Sequence, residues 1–233
     1  MDRITRKELK TDKFALEVEH TVEYVSQHRK QFSRYGAIAL AVVVLVAAGA
    51  YYRRHQRGAR QAALNAALQI QNAPIGQTGN EFLPGYPSQQ EKDKAALKVF
   101  TDLASRHAGS DEGVLADYYL GAMAADQGRL AEAAKLFEVV AREGNENYAA
   151  LAKLSLAEIY RAQGKPADGE KLLRSLLDKP TVFVSKEHAT LVLAQFLAEK
   201  RPEEARKLLE PLRTQRSAIS RAALTELARL PAK

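Results

Sequence analysis

The chain has 233 residues, 46% of them hydrophobic, with no Trp and only 7% aromatic residues. Zero Cys excludes disulfides, thiolate metal sites and cysteine nucleophiles together, although a cysteine-free domain is at home on either side of a membrane. The formal charge of +7 raises the question of a nucleic-acid partner, but acidic and basic residues alternate, as in Glu199-Lys200-Arg201-Pro202-Glu203-Glu204, the pattern of a solvated helix face, so no nucleic acid is expected.

The first predicted element lies in the polar tail, residues 1–34. After the capping pair Thr11-Asp12, Phe14, Val18, Val22 and Val25 recur at helical spacing and form one apolar stripe. The opposite surface carries Glu17, Glu19 and Glu23 with His20, whereas a helix lying on anionic lipid shows lysine and arginine there. The stripe reads either as a docking face for a cytosolic partner or a second copy, or as a helix leading into the next segment.

That segment, residues 35–52 (YGAIALAVVVLVAAGAYY), contains no charge. Eighteen residues of helix are about 27 Å long, enough for a thin bilayer core. Arg34 borders one end and Arg53 and Arg54 the other, with Tyr35, Tyr51 and Tyr52 where interfacial aromatics belong. A transmembrane helix is expected. Ala48-Gly49-Ala50 also fits a signal-peptidase site, but the preceding tail and the apolar run are both long for a signal peptide. A buried core helix would be less uniformly apolar. Charges close to the span do not set its direction: Arg29, Lys30 and Arg34 face Arg53, Arg54, Arg57 and Arg60. The whole tail holds eight Lys or Arg, which resist crossing, while long domains cross largely regardless of charge. The tail is therefore expected in the cytoplasm and the remainder outside. Gly36, Ala37, Ala39, Ala41, Ala47, Ala48 and Gly49 permit close packing with another helix.

Residues 60–71 (RQAALNAALQIQ) read as helix continuing from the span. Pro74, Gly76, Gly79, Pro84, Gly85 and Pro87 then break any helix across residues 72–90, which read as a loop or flexible linker. The expected division is a tail over 1–34, a span over 35–52, a helix and linker over 53–90, and a repeat domain over 91–233.

Beyond Glu91 the pattern becomes periodic. Ala96, Phe100 and Leu103 form a small-large-large triplet that returns as Ala133, Phe137 and Val140, as Gly169, Leu173 and Leu176, and as Ala205, Leu209 and Leu212. The steps between first members are 37, 36 and 36 residues. Leu120-Gly121, Leu156-Ala157 and Leu193-Ala194 run in phase, and Gly128, Gly164 and Arg201-Pro202 mark the turns. These residues resemble the tetratricopeptide repeat, a helix-turn-helix unit of about 34 residues. The resemblance implies an all-α fold, a helix-turn-helix solenoid after one transmembrane helix. Small residues at Gly121, Ala157, Ala194, Ala133, Gly169 and Ala205 would let the paired helices approach, and Phe137, Leu173 and Leu209 would fill the gap between units. Tyr160 falls where the family has an aromatic. Residues 62–71 would supply the missing first helix of the first unit, and residues 217–230 a capping helix.

In such solenoids the first helices line a concave binding face. The register places Leu115, Tyr118 and Ala122, then Leu151, Leu154, Glu158 and Arg161, then His188, Leu191 and Gln195 on it. Relatives that clamp a terminal carboxylate use Lys, Arg and Asn here, and only Arg161 fits. An apolar-leaning groove suits extended or helical polypeptide segments or a partner domain. The plain alternative is that Tyr118 and Leu154 simply pack on neighbouring helices.

Catalytic signals are missing from the sequence. His20, His28, His55, His107 and His188 have no metal-ligand partner at helical spacing, and Gly76-Gln77-Thr78-Gly79 lacks the lysine and strand of a phosphate loop. No enzyme activity, metal or cofactor is expected. The tail, the span ending in Tyr51-Tyr52-Arg53-Arg54, the Ala-rich stretch 60–73 and the repeats together resemble the bacterial YfgM-like family, ancillary subunits of the SecYEG translocon that meet periplasmic chaperones. That resemblance implies an inner-membrane protein with a periplasmic repeat domain, binding translocon, chaperone or client polypeptides. The alternative, from another class, is a scaffold of an envelope or cell-division complex that forms homo-oligomers through its tail and span.

Overall fold

The structure is a computed structural model that describes residues 29–76, 85–214 and 218–231, with side chains from Ser33 onward. The tail stripe of Phe14, Val18, Val22 and Val25 lies outside the described residues. The described residues are nearly all helical. An isolated parallel bridge between Ile75 and Tyr86 is the exception.

Helix α1, Arg29–Gln71, runs through the apolar segment and on through the alanine-rich stretch. It contributes to both compact units of the chain, residues 1–58 and residues 59–233. In the first unit the helix is long and apolar enough to cross a membrane, and its apolar window is wholly uncovered by protein.

The second unit begins with the last turns of α1. Their apolar positions are spaced for one face: Ala67 is fully buried, and Ala63, Leu64, Leu68 and Ile70 pack against Ala96, Phe100 and Leu103 of α2, Gln89–Arg106. That is the first helical hairpin. The ends of the Pro/Gly stretch between its helices are tied together. Gly76 N–H donates to Tyr86 C=O at 2.9 Å, Tyr86 N–H to Pro74 C=O at 3.0 Å, and Lys92 Nζ to Ala73 C=O at 3.3 Å. The second hairpin pairs α3, Asp111–Asp126, with α4, Leu130–Glu143. The third pairs α5, Glu146–Ala162, with α6, Pro166–Asp178. The fourth pairs α7, Lys186–Leu197, with α8, Pro202–Leu209, followed by a 3-10 turn, Glu210–Thr214. Helix α9, Ala218–Arg229, closes the array within a residue of each predicted end.

All four triplets are buried. Ala96, Phe100, Ala133, Phe137, Val140, Leu173, Ala205 and Leu209 are shielded almost completely, with Leu103, Leu176 and Leu212 close behind. Gly121 shows why the first helix of each hairpin needs a small residue. A Cβ there would stand 3.1 Å from the Phe137 ring. The hairpins bury what none could hide alone, and three contiguous apolar clusters run the length of the unit.

Local chemistry sets the ends. Helix α2 and the first helices of the next three hairpins have side-chain caps. Ser88, Ser110 and Ser185 hydroxyls accept from the N–H of Glu91, Gly113 and His188 at 3.2 Å, and Asn145 Oδ1 accepts from Asn147 and Tyr148 N–H. Helices α4, α6 and α8 lack such caps, because each follows a tight turn whose backbone already supplies the bonds. In the second and third hairpins that turn passes through Gly128 and Gly164, with φ of 74° and 75°. Arg129 N–H then reaches Ala124 C=O at 2.9 Å, and Lys165 N–H reaches Tyr160 C=O at 2.7 Å, the paired closure in which glycine carries no Cβ penalty.

Candidate functional site

Helices α3, α5 and α7 carry the predicted face. Leu115, Tyr118 and Ala122 are half-buried on α3, and Leu151, Leu154 and Glu158 half-buried on α5, where Arg161 is exposed. On α7, His188 is half-buried, Gln195 is exposed, and Leu191 is buried in the core. Tyr118 and Ala122 pack against the cluster around Phe137, while Leu151 and Leu154 pack against the one that contains Leu191. The apolar members therefore split between two clusters. The polar members are engaged as well: Arg161 pairs with Glu158 and lies 5.7 Å over the Phe196 ring, and Gln195 Nε2 donates to Glu226 of α9 at 3.2 Å.

An aromatic run crosses this region. Phe100 stacks on Tyr119 at 4.8 Å between ring centres, and Tyr119 meets Tyr118 edge-on at 5.8 Å. Tyr118 then contacts Phe137 and Tyr148, both at 5.6 Å, and Tyr148 meets Phe183 at 5.3 Å and 90°. Edge-to-face pairs of this kind add about 0.5–1.5 kcal/mol each beyond area burial. The run links α2, α3, α4, α5 and the loop before α7. Of its members, only Tyr118 belongs to the face predicted from the register. Tyr119, Tyr148 and Phe183 stand outside the repeat register, so no periodic signal marks them.

Electrostatics around α3 and α5 favour neutral groups. Burial pushes the Tyr118 and Tyr119 phenols up, and neighbouring tyrosines add to it. Burial, then the Glu143 carboxylate, raises the Asp117 carboxyl above its ordinary value. Tyr160 is pushed up to about 12 by burial and by its hydrogen bond to Glu138 Oε1, at 2.8 Å. Among the described residues no three His, Asp or Glu side chains converge as a metal-holding group. What the geometry offers is surface, made of half-buried aliphatic and aromatic side chains between paired charges.

Stacked helical hairpins around a continuous core define a helical repeat protein, a type of fold that typically serves as a protein-interaction scaffold rather than a catalytic one. Residues 29–185 match the tetratricopeptide repeat-like domain, and the chain belongs to that family. The matched stretch takes in all of α1 and ends just before α7, so the fourth hairpin and α9 lie beyond it. Among solved structures, the chain is similar to a Podospora anserina protein assigned as a kinesin light chain with nearly identical TPR-like repeats. Identity is 18%, the TM-score 0.52, and the likeness covers 72% of this chain and 83% of that one; a form of the same protein with a single substitution gives the same figures. At that identity the likeness concerns the fold alone. No curated protein matches the chain.

Proposed function

We propose that this protein is a membrane-anchored binding module, non-enzymatic, that holds client or chaperone polypeptides at an inner-membrane translocation or envelope-assembly machine, as the resemblance to YfgM-like translocon subunits implies. One observation carries the reading. The family match runs without a break from an uncovered apolar helix with basic borders into stacked interaction repeats. Anchoring such repeats concentrates their partners at the membrane without any new contact. The eight basic residues of the tail support a cytoplasmic tail and a periplasmic repeat unit. The groove residues are Leu115, Tyr118, Ala122, Leu151, Leu154, Glu158, Arg161, His188, Leu191 and Gln195, of which all but Leu191 keep part of their surface exposed.

Two measurements test this. Protease added to intact spheroplasts is expected to cut the repeats. Protection until lysis would reverse the orientation and make the partners cytosolic. A photo-crosslinking side chain at Leu154 is expected to capture an unfolded model polypeptide, while the same group at exposed Lys135 does not; equal capture from both positions would sink the groove. The second reading, an oligomeric scaffold, is favoured by the small residues of α1 between Gly36 and Gly49. Oligomers that survive deletion of residues 91–233 would select it.

A further inference from the structure

Three described loops join the second helix of one hairpin to the first helix of the next: residues 107–110, 144–145 and 179–185. They share one edge of the second unit, since the first helices run in the same direction. Arg60 lies on that edge, because its Nε donates to Glu112 Oε2 at 3.0 Å in the first turn of α3. Arg60, the second residue of this unit, therefore lies on the edge that carries these loops. Arg60 follows Tyr52, the end of the apolar segment, by only eight positions, a reach of under about 30 Å however the chain runs.

The loops differ in what they present. His107-Ala108-Gly109-Ser110 and Gly144-Asn145 offer no large apolar side chain. The third offers Val182, 88% exposed, and Phe183, 45% exposed. It does so on a prebuilt turn. Thr181 N–H donates to Val184 C=O at 2.9 Å, Val184 N–H donates to Thr181 Oγ1 at 3.1 Å, and the Val184 side chain is fully buried. Tyr148 braces Phe183 from behind. Lys179 and Lys186 are the exposed charges nearest the tip on either side, with Asp178 and Glu187 one residue further back on each helix.

We propose that the tip formed by Val182 and Phe183 is a second lipid contact, seated in the interfacial layer of the bilayer that holds residues 35–52. This rests on the membrane-anchored reading above. Two side chains on a protruding turn are far too small a surface to hold a protein partner, which needs roughly 800 Å² on each side. A lipid interface, by contrast, deforms around a small apolar tip. The fixed turn leaves little ordering cost on insertion. The lysines extend their apolar stems toward the interface while their ammonium groups stay in water. Because the acidic neighbours balance them, attachment depends on the apolar side chains and is insensitive to salt and to lipid charge.

The absence of Trp makes the test direct. Three single-Trp variants of the full chain, Val182→Trp, Ala131→Trp and Leu45→Trp, are reconstituted in zwitterionic vesicles with and without lipids brominated on the acyl chains. Val182→Trp is expected to emit to the blue of Ala131→Trp and to be quenched at least about two-fold more. Leu45→Trp reports the span itself. Strong quenching of Leu45→Trp with no excess at Val182→Trp overturns the tip contact and leaves the anchored reading standing. No quenching at Leu45→Trp overturns both. Blue-shifted emission at Val182→Trp without quenching would mean burial against protein, and quenching confined to anionic lipid at low salt would mean a lysine contact; either result overturns apolar insertion.

Discussion

In the second and third hairpins the chain leaves its first helix through Gly128 and Gly164, and backbone hydrogen bonds close the turn. In the fourth hairpin the same place is held by Arg201, with φ of −139°, ahead of Pro202 as the first residue of α8. Its N–H bonds Leu197 C=O at 2.8 Å, and the closure through a left-handed residue is gone. Charge supplies a tie instead. Arg174 binds Glu170 at 2.8 Å and Glu204 at 2.5 Å, while Arg201 binds Glu204 at 3.1 Å and also pairs with Glu170, a ring of four that fastens α6 to the start of α8. The comparison teaches that the apolar triplet is the shared requirement of the repeat. The turn is a local problem with more than one solution.

If that is right, emptying a triplet must cost most wherever it is done. Phe137→Ala removes the ring that lies on Gly121 and Tyr118 and is expected to lower stability by about 3–5 kcal/mol, with Leu209→Ala in the fourth hairpin at about 2–5 kcal/mol. Urea unfolding of the detergent-solubilised full chain measures both. A loss under about 1 kcal/mol at either site would break the claim that the two hairpins share one core logic.

Close approach should come next. A Cβ on Gly169 would stand 2.7 Å from Ala157 C=O and 2.8 Å from the Phe196 ring, whereas the fourth hairpin carries Ala205 at the equivalent place. Gly169→Ala is expected to cost about 1–3 kcal/mol by overpacking. Ala205→Gly is expected to cost about 1–2 kcal/mol through lost helix propensity and one lost buried methyl, with no clash to relieve. Thermal unfolding by circular dichroism orders the two.

Turn chemistry should matter less again, and differently on the two sides of the comparison. Gly128→Ala and Gly164→Ala force a Cβ into the left-handed region at about 1–2 kcal/mol each, unaffected by salt. Arg201→Ala breaks exposed ion pairs worth at most about 1 kcal/mol, and its effect should vanish at high salt. Salt-sensitive glycine variants would contradict the distinction.

The smallest effect is a pH response of opposite sign. Burial alone would raise the Glu170 carboxyl, but hydrogen bonds from Arg174 and Arg201 outweigh it and hold the group below the ordinary carboxylate range. Its contribution is complete above the unfolded value of about 4 and fades as pH falls through the lower folded value. Asp117 in α3, raised by burial and Glu143, does the reverse: it takes up its proton earlier when folded, so stability rises as pH falls through that raised value. Melting curves between about pH 7 and pH 3 should show a small gain abolished by Asp117→Asn, then a loss reduced by Glu170→Gln. Identical curves for wild type and both variants would remove charge from the account.

Sequence alone determined the helical class, the apolar segment, the four triplets, the glycine turns and the first helix of the first hairpin. These follow from local propensity and from a repeat that must bury one stripe per helix, and both are written in spacing. Tertiary structure decided what periodicity cannot encode. It buried Leu191 and left Leu151 and Leu154 half-covered, because packing against neighbouring hairpins sets how much of a helix face stays open. It paired Arg60 with Glu112, which is only 8% exposed although 52 residues away, and it drew Tyr148 and Phe183 into an aromatic run with Tyr118. It also turned Val182 outward and Val184 inward within one short loop. Such contacts join residues with no fixed sequence offset, so only the folded chain, by closing the distances between them, specifies which side chains meet.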